Sequence, residues 1–341
     1  MLLRRLPIVL SASLLAACAH HSISQQPANG KPAATPATAT STSAGTPALT
    51  MPGGATAPPL APSYTQTMIV APPATLAIDT FYKKYTDAWG IPIVSSAKCP
   101  DDALLMARDI VNYMLIKRLD VRETLIRQKA RVLVMAQTEM ETDLPERHDW
   151  KKPTRDDRRL TPGERENYDK PGGIASLSDR EYWNKRARGM GGTITSCAEE
   201  NLLGYPGTRY YGENILVHEF SHNIMSAIRH ADTALYREIG VAYEAAKSKG
   251  MYKGQYAINT VAEYWAEGTQ WWFWSNIEFY DGATRIQTPD DLLVYDPTLY
   301  HILEKVYASH HVPADVYYSR NLRPARHSVS LGHGTTPSSG Q

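Results

Sequence analysis

The chain lacks three features that would each point to a function class. No long apolar run follows residue 15, which excludes a membrane-spanning helix beyond the N-terminal segment, and no internal repeat is present. An excess of positive charge is missing too. The chain has 36 basic and 35 acidic residues, and removal of a leader containing Arg4 and Arg5 leaves 34 against 35. This near-neutral balance argues against nucleic acid as a partner.

Residues 19–75 almost lack charge, because Lys31 is the one basic residue and no acidic residue occurs. The segment consists mainly of Pro, Ala, Thr, Ser and Gly, and it cannot bury enough apolar surface to offset the entropy lost on ordering. We therefore predict a disordered tether over 19–75 and a second disordered tail over 324–341. The part between them, residues 76–323, is long enough for one well-cored domain.

The N-terminus has the features of a secretory leader. Two arginines precede an apolar run over residues 6–15 that is too short to span a bilayer comfortably. The run ends in Leu-Ala-Ala-Cys18, which resembles the lipobox of bacterial lipoproteins; the alternative is an ordinary signal peptide with a fortuitous cysteine. The resemblance implies a signal peptide over 1–18, acyl chains on Cys18 and attachment to the bacterial cell envelope. Ala19 after the cysteine favours the outer membrane or the periplasmic face.

Cysteine is scarce, and after lipidation of Cys18 only Cys99 and Cys197 remain in the exported part. In an oxidising compartment an isolated pair most simply forms a disulfide, here closing a loop of about 100 residues that is worth up to about 4.7 kcal/mol. The alternative is a catalytic or metal-binding thiolate. Because no histidine flanks either cysteine at metal-ligand spacing, we predict the disulfide.

The most informative segment is His218-Glu-Phe-Ser-His222, within a stretch over 212–229 whose apolar spacing predicts an amphipathic helix. Histidines four residues apart stand one above the other on a helix, so both imidazoles can reach a single metal ion. Glu219 lies one helical step from His218 and can hold a metal-bound water without being a ligand. The arrangement is typical of zinc hydrolases, although so short a pattern can also arise by chance.

The rest of the pattern predicts an α+β domain with helix in excess of strand. Loops dominate the stretch over 143–188. We predict strands over 131–136 and 191–196 and helices over 81–89, 101–117, 212–229, 232–247, 261–274 and 299–308. Residues Thr193 to Ser196 are a candidate edge strand for pairing with an extended substrate; the alternative is an interior strand without that role.

A catalytic zinc takes three protein ligands and keeps one position open. A third histidine from the extended motif H-E-x-x-H-x-x-G-x-x-H is excluded, because Met225 and Ile228 occupy its glycine and third-histidine positions. An aspartate ligand is excluded because no Gly-Thr-x-x-Asp pattern follows. A glutamate on a second helix remains, and Glu263 and Glu267 share one face of the helix over 261–274. Glu263 is the preferred ligand, with Glu267 accepting the free N–H of a zinc-bound histidine. Alternatively, Glu263 completes a capping box with the threonine three residues before it, and Glu267 is the ligand.

The two motifs, His218-Glu-Phe-Ser-His222 and Glu263-Tyr-Trp-Ala-Glu267, resemble those of the gluzincin metallopeptidases, most closely the catalytic domain of anthrax lethal factor and its relatives. The resemblance covers residues 211–274. It implies a zincin-like metallopeptidase domain with a small sheet flanking the H-E-x-x-H helix and one catalytic Zn²⁺. The family also places a tyrosine seven residues before the glutamate ligand to stabilise the oxyanion, and Tyr256 holds that position. A simple packing role is the alternative for Tyr256.

The sequence therefore predicts a membrane-anchored zinc metallopeptidase that hydrolyses protein or peptide substrates. Glu219 is the expected general base acting on a zinc-bound water, and Tyr256 the expected oxyanion donor. One alternative is a zinc hydrolase of non-protein amide bonds in the cell envelope. Another is a catalytically silent envelope lipoprotein that binds through the same fold, but the intact Glu219 and the complete ligand set argue against it.

Overall fold

The computed structural model describes residues 69–157, 160 and 162–322. The predicted signal peptide with Cys18, the tether up to residue 68 and the predicted tail over 324–341 lie outside the described residues. The last residues of the predicted tether belong to the folded domain, because Val70 and Tyr85 exchange two backbone hydrogen bonds of 3.0 and 2.8 Å. None of the described helices is long and apolar enough to cross a lipid bilayer.

The described residues confirm the α+β class, with helix in excess of strand. A four-stranded sheet has the order β1-β2-β3-β4, in which the first pair is antiparallel and the other two are parallel. A separate two-stranded hairpin follows later in the chain. The strands are β1 (Lys84–Asp87), β2 (Pro92–Ser95), β3 (Arg131–Met135), β4 (Ile194–Ala198), β5 (Phe279–Asp281) and β6 (Thr284–Ile286). The helices are α1 (Asp101–Met114), α2 (Leu119–Arg127), α3 (Pro162–Glu166), α4 (Asp179–Arg186), α5 (Glu199–Leu202), α6 (Ile215–Ala231), α7 (Thr233–Ser248), α8 (Val261–Trp272), α9 (Pro289–Tyr295) and α10 (Pro297–Val306).

The predicted helix over 81–89 was wrong, since β1 occupies this stretch. The cause is a tight two-residue turn in which Trp89 and Gly90 have φ values of +52° and +91°. Two successive residues with positive φ match the twist of a β-hairpin, and they return the chain along β2. The flanking Ala88 and Ile91 exchange backbone hydrogen bonds of 2.9 and 3.4 Å across this turn.

The other predicted helices and both predicted strands are confirmed, with ends that differ by a few residues. Helix α6 begins at Ile215 rather than at residue 212, because the Asn214 side chain accepts a hydrogen bond from the Val217 N–H at 3.1 Å and caps the helix there. The predicted loop-rich stretch also contains α4, whose start is marked by a capping box between Ser178 and Glu181.

Helix α6 lies at the centre of the domain and packs against β4, α1, α2, α7 and α8. Its apolar stripe of Val217, Phe220, Ile224 and Ile228 is completely buried. Helix α8 lies beside it, and the Trp265 Nε1–H donates to the Ser221 carbonyl at 2.9 Å. Two buried helices therefore bring the two sequence motifs together.

We expect Gly268→Ala to destabilise the protein, because α8 approaches α10 closely at this glycine. A Cβ added to Gly268 would lie 2.5 Å from Leu299 Cδ2, and overpacking of this kind costs about 1–3 kcal/mol. Gly240 of α7 has open space instead, so Gly240→Ala should raise stability by about 1 kcal/mol through helix propensity alone. Urea unfolding of both variants measures the difference, and shifts of the same sign would contradict it.

The predicted disulfide is not formed in this structure, where Cys99 and Cys197 are buried free thiols. Each sulfur faces a backbone carbonyl instead: Cys99 Sγ lies 3.7 Å from the Pro100 oxygen, and Cys197 Sγ lies 3.9 Å from the Leu133 oxygen of β3. Burial raises the pKa of Cys99 to about 12, and burial also raises that of Cys197. Both groups are therefore protonated at neutral pH.

Neither thiol should react with a thiol-specific reagent at pH 8 in the native protein, since the reactive thiolate is absent and the sulfurs are shielded. After unfolding in denaturant without a reductant, both should react. A protein in which Cys18 is replaced by serine allows Cys99 and Cys197 to be counted without interference. If unfolding alone released no thiol but unfolding with a reductant released both, the disulfide would be present after all.

Candidate metal centre

Helix α6 presents the H-E-x-x-H residues as a compact buried group. His218, Glu219 and His222 are 4%, 1% and 8% exposed, and one ligand-capable atom from each lies within 4.8 Å of the others. The two imidazole centroids are 5.0 Å apart. The spacing expected from one helical turn is thus realised, in a setting where isolated charge is costly.

Helix α8 adds a carboxylate between the two histidines. Glu263 Oε2 lies 3.0 Å from His218 Nε2 and 3.6 Å from His222 Nε2. Around a tetrahedral zinc with bonds of about 2.0–2.1 Å, neighbouring donor atoms are about 3.3 Å apart. The two separations lie on either side of that value, so Glu263 Oε2 is close enough to each imidazole nitrogen to share an ion with it.

The alternative assignment of Glu263 as a capping residue does not fit this geometry. Thr260 Oγ1 accepts the Glu263 N–H at 3.1 Å, but this is only half of a capping box, because the Glu263 carboxylate points to the histidines. Glu267 lies on the opposite side of the His218 ring, with its Oε1 3.8 Å from Nδ1. It therefore cannot share an ion with Glu263 at His218 Nε2.

Gln270 makes the contact with a histidine of the centre that the sequence analysis predicted for Glu267. Its Oε1 lies 2.9 Å from His218 Nδ1, whereas the 3.8 Å separation of Glu267 is too long for a hydrogen bond. In this structure Gln270, rather than Glu267, is therefore the hydrogen-bond partner of His218 Nδ1. Gln270 follows Glu263 by two helical turns and lies on the same face of α8, a spacing from which it could have been found.

Glu267 instead anchors the turn that carries Tyr256. Its Oε2 accepts hydrogen bonds from Gln255 Nε2 at 2.7 Å and from Asn276 Nδ2 at 2.8 Å. Gln255 caps the 3₁₀ turn Tyr256–Ile258 by accepting the Ala257 N–H. Through Gln255, the glutamate therefore determines where this turn sits.

Tyr256 lies beside the predicted ligand set, as expected from its spacing. Its hydroxyl donates to Glu263 Oε1 at 3.3 Å, and the side chain is only 9% exposed. The structure thus brings Tyr256 together with His218, His222 and Glu263. The phenol is within reach of a group bound next to these residues.

The centre is strongly acidic. Burial raises the pKa of Glu213 to about 7, and the neighbouring Glu267 carboxylate adds to this rise. Burial also raises the pKa of Glu267, and the charge of Glu263 acts in the same direction. A cation would relieve the repulsion among these carboxylates, which is a reason for one to bind here.

The chain matches no protein-family model and no curated protein sequence. The resemblance to gluzincins thus depends on the two sequence motifs alone.

The predicted edge strand differs from what the structure shows. β4 is the last strand of the sheet, but Ser196 exchanges backbone hydrogen bonds of 2.9 and 3.3 Å with Met190, and the Ile194 carbonyl accepts one from Arg147. The outer edge is therefore formed by the segment before β4.

Gly191 also determines how closely this edge approaches helix α6. A Cβ added there would lie 2.9 Å from His222 Cδ2 and 3.2 Å from Glu219 Oε2. A contact of 2.9 Å is shorter than a carbon–carbon contact allows, so only glycine permits the backbone to pass directly over these two side chains. The backbone at Gly191 consequently lies directly against the H-E-x-x-H residues.

Proposed function

We propose that this protein is a zinc-dependent metallopeptidase of the gluzincin type with a zincin-like domain. The observation that supports this most directly is the convergence of His218 Nε2, His222 Nε2 and Glu263 Oε2, with Glu219 next to them. These three residues would hold the ion. When bound, zinc supplies Lewis acidity, which acidifies water and polarises the scissile carbonyl.

The chain's own residues move the proton and stabilise the developing charge. Glu219 takes a proton from the attacking water and passes it to the leaving amine, a role that suits a buried carboxylate beside the ligand set. Tyr256 donates its hydroxyl proton as a hydrogen bond to the oxyanion. Its alignment depends on the turn that Glu267 holds through Gln255.

The substrate that we propose is a protein or peptide whose scissile bond would lie near Gly191, where the backbone passes next to Glu219 and His222. The N-terminal sequence supports a location at the bacterial cell envelope, with the enzyme attached through a lipid on Cys18. The tether would then let the domain act at a distance from the membrane.

The direct test is hydrolysis by the purified protein with measured zinc content. Casein and a peptide library should be cleaved, a chelator should stop the cleavage, and added zinc should restore it. Purified peptidoglycan tests for hydrolysis of envelope amides under the same conditions. Cleavage of peptidoglycan alone would replace the peptidase assignment, whereas zinc binding without any hydrolysis would favour a binding lipoprotein.

Replacement of Glu263 should remove zinc, and replacement of Glu267 should not. Glu263→Ala deletes a donor atom, so zinc affinity should fall by more than the 10–100-fold typical of outer-shell partners. Glu267→Gln leaves all three donors in place and should stay within about tenfold of the original affinity. Competition with a chromophoric chelator measures both values. The opposite ranking would make Glu267 the third ligand.

A further inference from the structure

Gln270 is a completely buried glutamine in the last turn of α8 with contacts on both ends of its amide. Its Oε1 lies 2.9 Å from His218 Nδ1. Its Nε2 lies 3.0 Å from the Asn214 carbonyl oxygen and 3.5 Å from Glu213 Oε2. Such a residue needs an explanation, because a buried amide is stable only when its donors and acceptors are paired.

These contacts determine which way the amide points. The Asn214 carbonyl can only accept a hydrogen bond, so it must face the NH₂ group of Gln270, 3.0 Å away. The amide oxygen is left to face His218, and it can only accept. His218 therefore carries a proton on Nδ1, and its Nε2 lies 3.0 Å from Glu263 Oε2, on the side where the ion would bind.

We infer that Gln270 is the positioning residue of the metal centre: it holds His218 in the tautomer that can bind the ion through Nε2. This inference rests on the proposed function. The usual partner for a metal-bound histidine is a carboxylate or a backbone carbonyl. In this chain a neutral amide takes that place, and the NH₂ group of this amide contacts Glu213.

The charge of the pocket explains the use of an amide. Glu213, Glu263 and Glu267 already place three carboxylates around His218, and burial raises the pKa of two of them. A fourth carboxylate at position 270 would face Glu213 and the Asn214 carbonyl without a donor between them. Glutamine supplies an acceptor for the histidine and donors for both of these groups, without adding charge.

Long-range ¹H–¹⁵N NMR of the zinc-free native protein tests the inference without any substitution. The signal of His218 should show a protonated Nδ1 before zinc is added. A neutral His218 with its proton on Nε2 would require the Gln270 amide to be reversed, and it would overturn the inference.

Two variants test the same point through zinc affinity. Gln270→Met keeps the side-chain length but removes both hydrogen-bonding groups, so affinity should fall about 10–100-fold. Gln287→Met is the matched control, because the Gln287 side chain contacts Arg285 rather than a residue of the centre, and its zinc affinity should remain within a few-fold of the original.

The outcomes separate this inference from the proposed function. If the unmodified protein binds no zinc, the proposed function fails. If the unmodified protein binds zinc and a folded Gln270→Met binds it equally tightly, Gln270 has only a packing role. Should Gln270→Met not fold, the NMR result on the native protein still decides the question.

Discussion

Glu219→Gln should lower kcat for peptide hydrolysis by about 10²–10⁴ while the protein keeps its zinc. The amide has nearly the same shape as the carboxylate, so a side chain that is 1% exposed can be replaced without a cavity. It cannot accept a proton from water, however. Loss of the general base alone should therefore remove turnover, because His218, His222 and Glu263 remain to bind the ion.

Steady-state kinetics together with zinc analysis of the same preparation measures this effect. Glu244→Gln is the matched control, since Glu244 is exposed on α7 and the same change there should leave kcat unaltered. Full activity of Glu219→Gln would exclude Glu219 as the base. A variant that lost its zinc would show that the carboxylate acts as a ligand instead.

Tyr256→Phe should lower kcat by about 10²–10³, the effect typical of losing one oxyanion donor. Its hydroxyl lies 3.3 Å from Glu263 Oε1, beside the ligand set. Its removal deletes one hydrogen bond but leaves the ring in place. Because the donor is needed mainly in the transition state, we expect KM and zinc affinity to change little.

Tyr252→Phe provides the contrasting control four residues earlier. This tyrosine is completely buried in the core, and its hydroxyl donates to Asp296 Oδ2 at 3.1 Å. Its loss should reduce the free energy of unfolding by about 1 kcal/mol, because Tyr264 still donates to the same oxygen. Activity should be unchanged. If the two variants had equal kinetic effects, Tyr256 would be a packing residue like its neighbour.

The two helices that carry the site could be predicted because their signals are local. Four-residue spacing places His218 over His222 and Glu263 over Glu267, whatever the rest of the domain does. The hairpin at Trp89 and Gly90 was missed for a related reason. A two-residue turn interrupts a pattern that otherwise suggests a helix, and its signal is the conformational freedom of a single glycine.

Contacts between distant segments were not predictable in the same way. Glu267 and Gln270 both follow Glu263 on one face of α8, and a small rotation of that helix decides which of them meets His218. The edge of the sheet was likewise misplaced, because only the folded chain shows that Met190 covers β4. The disulfide between Cys99 and Cys197 was predicted from the oxidising compartment and from the number of cysteines. Neither of these determines whether the two sulfur atoms face each other in the folded chain.

The sequence by itself predicted the candidate ligands, the candidate general base and the attachment to the envelope, since these predictions depend on residue type and on spacing within one segment. The tertiary structure alone decided that Glu263 faces both histidines, that Gln270 supports His218, and that Glu267 holds the turn of Tyr256. The physical reason is that hydrogen bonds and metal–donor distances are sensitive to shifts of less than 1 Å between helices. The packing of side chains between helices sets such shifts, as where Gly268 of α8 contacts Leu299 of α10. The spacing of residue types along the sequence does not set them.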